Sequence, residues 1–189
     1  MHEITQDEWK AALSTLYEDE YVFVGAAGRK HRDWAHDVTL VMLREVSDPR
    51  GWQGQDWDAE EVPGQPPEPK GHPFENTDPS AIEKHLFEVT KRTATRQLVA
   101  MIDEWFTMHS IPDYERRKGE LDSSAAALLS RFGPHARFYS SAADARPPRS
   151  PDFDGSMSSG RCFTCLLMDL GLVAVSEDEV GVFWRFNAY

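Results

Sequence analysis

The chain has 189 residues and a formal charge of −12, with apolar residues at 40% and charged residues at 28%. That balance suffices for one packed core and excludes a disordered polymer, although a mean hydropathy of −0.55 describes a thoroughly wetted surface. No basic and apolar leader opens the sequence and no eighteen apolar residues run together, so the expectation is a cytoplasmic protein, neither secreted nor membrane-spanning.

Read in order, Thr5 to Tyr17 has the period of an amphipathic helix, with Trp9, Leu13 and Leu16 on one face. Tyr21 to Val24 reads as a short buried strand. Val38 to Val46 is rich in β-branched residues and is expected as a second strand. From Gly51 to Pro73 the chain is Gly, Pro, Gln and acid, which forbids regular structure and predicts a long loop or interlobe linker at about 51–77.

Asp78, Pro79 and the Ser80-to-Glu83 spacing open a helix that the apolar stripe carries to His109, with a polar stretch midway at Thr90, Thr93 and Gln97. Pro112 to Phe132 predicts another helix, interrupted near Gly119. Arg137 to Ser140 suits one strand. Arg161 to Leu170 reads as a buried helix, and Leu172 to Ser176 with Val180 to Phe186 as a hairpin around Glu177-Asp178-Glu179. These elements make an α+β fold: a mixed or mainly antiparallel sheet, two to three helices packed on it, and a C-terminal β-hairpin. A single globular domain over 1–189 is expected, with 1–50 as a candidate small N-terminal lobe.

Charge is unevenly placed. Met1 to Asp78 holds seventeen acids against seven bases, a net of −10, whereas Pro79 to His135 is neutral and Ala136 to Tyr189 carries −2. Such a surface repels nucleic acid and anionic membranes and attracts basic partners. Trp52 and Trp57 stand in this part among Asp56, Asp58, Glu60 and Glu61. An indole supplies contact area and carboxylates supply steering, so these six are the candidate partner-binding residues.

Other patterns carry less. Cys162 and Cys165 lack a second ligand pair for zinc and sit among Phe163, Leu166, Leu167 and Met168, which predicts two packed, buried thiols. Gly155 to Cys162 has the glycine spacing of a phosphate-binding loop. It lacks the lysine, the metal-binding hydroxyl and the feeding strand, so a Gly/Ser connection is the better reading. Arg29, Lys30, His31 and Arg32 form the candidate anion-binding loop, and Asp33, His36 and Asp37 next to them could supply acid/base groups.

No catalytic constellation, metal set or cofactor motif emerges, which favours a binding protein over an enzyme. The expected function is an acidic, protein-binding inhibitor or immunity-type protein engaging a basic nuclease, toxin or nucleic-acid-binding defence complex, as an anti-CRISPR protein would. The alternative is a small enzyme acting on an anion through Arg29, His31, Asp33 and His36, and the third reading is a regulatory winged-helix module. Glu177-Asp178-Glu179 would meet phosphates with three negative charges, so duplex DNA binding is not expected.

Overall fold

Two strands at the end of the chain organise the rest. In the computed structural model, which describes residues 3–18, 21–56, 71–74, 77–148 and 156–187, β5 (Met168–Val175) pairs with β6 (Glu179–Asn187) from Val175 opposite Val180 to Met168 opposite Asn187. Every residue of β6 and all of β5 but Met168 is buried. Strand side chains alternate between faces, so Leu170, Leu172, Ala174 and Phe183 enter one core. Val173, Val175, Val180, Val182, Trp184 and Phe186 enter the other.

Both faces are therefore covered, and the hairpin is the centre of a six-stranded sheet. β1 (Val22–Gly28) lies along β6, with β2 (Gln55–Asp56) outside it. On the other side β4 (Arg137–Ser140) lies along β5, with β3 (Phe87–Val89) at the edge. The order is β2-β1-β6-β5-β4-β3, and all five pairings are antiparallel.

Five α-helices are seen among the described residues. α1 (Gln6–Tyr17), α4 (Lys91–Ala100) and α5 (Tyr114–Ser130) cover one face through Trp9, Leu13, Leu98, Val99, Leu121 and Leu128. α2 (Trp34–Met42) and α3 (Pro79–His85) cover the other through Ala35, Val38, Val41, Ala81 and Ile82. Two glycines allow the close packing. A Cβ on Gly171 would stand 2.1 Å from the Trp184 indole, and one on Gly181 would stand 2.1 Å from the Phe132 ring.

The α+β class, the antiparallel sheet and the C-terminal hairpin agree with the sequence reading, and α1 starts where expected, on a Thr5–Glu8 capping box. Among the described residues five helices stand where two to three were expected, and several elements differ for identifiable reasons. Val38 to Val46 is no strand. Asp33 caps the Ala35 amide, and Val38, Val41 and Met42 then recur at helical spacing against the sheet, overriding β propensity.

The long helix from Asp78 breaks at Leu86, because β4 captures Phe87 to Val89 as an edge strand; Thr90 then caps a new helix by accepting from the Thr93 amide. Gly119 does not interrupt α5, where it faces open space. The predicted helix at Arg161 to Leu170 is absent, which also leaves a winged-helix arrangement without its recognition helix. Asp169 Oδ2 accepts from the Phe163 and Thr164 amides and from the Thr164 hydroxyl, holding the chain in a turn that competes with helix.

The same turn overturns the expected burial of the cysteines. Cys162 and Cys165 are both exposed.

Candidate functional site

The last turn of α3 ends at the sheet edge and presents Lys84 and His85. The chain then enters β3 with Phe87, opposite Ser140 of β4. After β4 a short 3-10 turn at Ala143–Ala145 leads into Arg146, Pro147 and Pro148, and the stretch 156–161 returns alongside. These pieces enclose a cavity of about 620 Å³ lined by Lys84, His85 and Phe87, by Ser141, Ala143, Arg146, Pro147 and Pro148, and by Ser159, Gly160 and Arg161.

The floor is tied together by short hydrogen bonds. The Ser141 amide donates to the Gly171 carbonyl at 2.9 Å, and the Gly171 amide donates back to Ser141 Oγ at 2.8 Å. The Ala143 amide donates to the Ser158 carbonyl, the Ser158 amide to Asp144, and the Ser159 hydroxyl to the Asp169 carbonyl. Gly160 lies so close to the Ser141 carbonyl that a Cβ would approach it to 2.1 Å, so no other residue fits this crossing unchanged.

Among the described residues no carboxylate lines the cavity, while three permanent cations and a histidine do. Among the described residues Lys84, Arg146 and Arg161 form no ion pair, although Arg161 lies 5.8 Å over the Phe163 ring. His85 feels its neighbours: desolvation first, then the charges of Arg161, Lys84 and Arg146, hold its imidazole below the ordinary 6.5. A protein of net charge −12 thus gathers three cations and a histidine around one hollow. A second cavity, of about 390 Å³, differs: its Arg50 and Arg131 are both bound to Glu179.

The candidate partner-binding and anion-binding residues taken from sequence fall elsewhere. Arg29 gives its guanidinium to the carbonyls of Ser176, His31 and Arg32 and faces buried Asp37 at 4.0 Å. Asp37 also accepts from the Lys30 and His31 amides and lies 2.7 Å from the His31 ring. That loop is built around an internal carboxylate, and the side chains of Lys30, His31 and Arg32 are exposed. His36 lies 3.4 Å from Asp33, the cap of α2, and 5.4 Å from the His31 ring.

Trp52 is half-buried against Trp9 at 6.0 Å, with the Arg50 and Arg131 guanidiniums 5.1 and 5.0 Å from its ring. Asp56 is held by Arg44 through bonds of 2.5 and 2.7 Å. Trp57, Asp58, Glu60 and Glu61 lie outside the described residues.

Sequence reasoning missed Lys84, His85, Arg146 and the two prolines as one site, because 77 positions separate Lys84 from Arg161. The one signal was the Gly/Ser stretch before Arg161, whose Ser159 and Gly160 do line the cavity. Among the described residues no group of three or more His, Cys, Asp and Glu is placed to hold a metal ion, and no helix is long and apolar enough to cross a membrane. No known family, curated protein or solved structure matches the chain.

Proposed function

We propose that the protein binds a small polyanion in the basic cavity at the β3 edge. The observation that carries this reading is the convergence of Lys84, His85, Arg146 and Arg161 on one hollow, with no carboxylate among its described lining residues. Its volume of about 620 Å³ falls within the range of small-molecule sites. Arginine and lysine supply complementary recognition here: a planar fork for paired oxygens and a movable point charge. Phe87, Pro147 and Pro148 add an apolar wall. The acidic remainder of the molecule disfavours long polyanions, so a compact ligand fits better than duplex DNA.

Calorimetric titration with inorganic pyrophosphate tests the reading. Saturable one-to-one binding is expected, with at least tenfold weaker affinity in Arg146→Ala and Arg161→Ala. Binding of equal strength in wild type and both variants, or no binding at millimolar ligand, overturns it.

A second reading is favoured by the −10 carried by Met1 to Asp78. In it the acidic segment engages a basic protein as an inhibitor or immunity-type protein, through Trp57, Asp58, Glu60 and Glu61. Asp56 and Trp52 have intramolecular partners and would contribute less. Neutralising Asp58, Glu60 and Glu61 together would slow association with that partner and flatten its salt dependence; unchanged rates would remove this reading.

A further inference from the structure

We infer that Cys165 and His72 form a reactive-thiol site, at which the imidazole takes the thiol proton and the sulfur attacks soft electrophiles, hydroperoxides in particular. The two residues are far apart in sequence and are brought together by tertiary structure. Cys165 Sγ lies 3.7 Å from His72 Nδ1, and Cys165 is exposed.

Both stretches of chain are fastened. The Cys165 amide donates to the Pro73 carbonyl at 3.1 Å, and the Thr77 hydroxyl donates to the Phe163 carbonyl at 3.2 Å. The His72 carbonyl accepts from Arg44, which Asp56 holds in turn. On either side, Phe74 is fully buried against Phe186 at 5.4 Å, and Phe163 packs on Trp184 at 5.3 Å. The sulfur and the ring nitrogen therefore meet by construction, on a surface that a reagent can reach. Cys162, three residues earlier on the same exposed turn, is a built-in reference thiol.

A thiolate is the nucleophilic form of cysteine, and a neighbouring imidazole raises its population. Towards a hydroperoxide, the Cys165 proton passes to His72 Nδ1 and the sulfur attacks one peroxide oxygen. The S–O bond forms as the O–O bond breaks. For hydrogen peroxide, the departing hydroxide recovers the proton from the imidazolium as water, and Cys165 is left as a sulfenic acid.

The test uses the full chain as Cys162→Ser, leaving Cys165, and as Cys165→Ser, leaving Cys162. Iodoacetamide at pH 7 should alkylate Cys165 about fivefold faster than Cys162. Adding His72→Gln should bring the two rates together, with circular dichroism unchanged. Hydrogen peroxide followed by a dimedone-type trap should label Cys165 before Cys162 by mass spectrometry. Equal alkylation rates overturn the proposal even if His72→Gln fails to fold, because that comparison keeps His72 in place. A His72→Gln variant that folds yet leaves the Cys165 rate unchanged also overturns it, and sulfenate trapping first at Cys162 overturns the hydroperoxide assignment.

Discussion

Arg131 and Asp48 are joined by two hydrogen bonds of 2.6 and 2.8 Å, with the arginine side chain fully buried. Arg131 Nε donates to Glu179 at 3.0 Å, and the guanidinium lies 4.9 Å over Trp9 and 5.0 Å over Trp52. Desolvation lowers the guanidinium pKa, yet hydrogen bonds to Asp48 and Glu179 and their charges more than offset it, so the net direction is upward. One side chain thus fastens the end of α5 to the start of β6 and to the loop ahead of β2.

Arg131→Ala should destabilise the fold by about 3–5 kcal/mol, because it takes the guanidinium from Asp48 and leaves Glu179 with Arg50 alone. Arg131→Lys should recover part of this, keeping the charge without the fork. Urea unfolding of the three proteins checks the order.

Trp52→Ala should cost about 2 kcal/mol of stability, since the indole is a half-buried cover over Arg131 rather than a free recognition group. Thermal denaturation should show the loss in the isolated protein, with no partner present. An unchanged melting temperature would return Trp52 to the list of free binding residues.

Gly171→Ala should destabilise by at least about 1–3 kcal/mol, because its methyl would enter the space of the Trp184 ring. Near-ultraviolet circular dichroism should report the displaced indole alongside chemical denaturation.

Asp169 has its carboxyl raised above the ordinary 3.8, by burial first, against the opposing hydrogen bonds of Thr164 and Phe163. The native state therefore holds this proton more tightly than the unfolded chain. The stability it contributes is full below about pH 4 and is lost as pH rises through the native pKa. Relative to Asp169→Asn, the wild type should be more stable at pH 4 than at pH 7. Denaturation at the two values checks the sign.

His85 is held below 6.5, by desolvation and then by the adjacent cations, so its surroundings resist its protonation. A bound polyanion reverses the Coulombic part. Pyrophosphate should raise the His85 titration midpoint in NMR, and its affinity should increase as pH falls from about 7.5 to 6. Affinity independent of pH would remove His85 from the site.

Some of this molecule could be read from neighbouring residues alone. The Thr5 and Asp78 caps and the Leu172-to-Phe186 hairpin are short-range facts, set by side-chain hydrogen bonds and by the period of apolar residues. Where a distant segment competes, local signals lost: β4 drew Phe87 to Val89 out of an unbroken helical stripe, and Asp169 drew the amides of Phe163 and Thr164 out of a predicted helix. The basic cavity and the Cys165–His72 pair were decided by tertiary structure alone. Lys84, Arg146 and Arg161 converge because β3 pairs with β4 and the 156–161 stretch hydrogen-bonds across Ala143. Charge and thiol chemistry are properties of residues, which sequence lists; a site is a property of distances, which only the folded chain supplies.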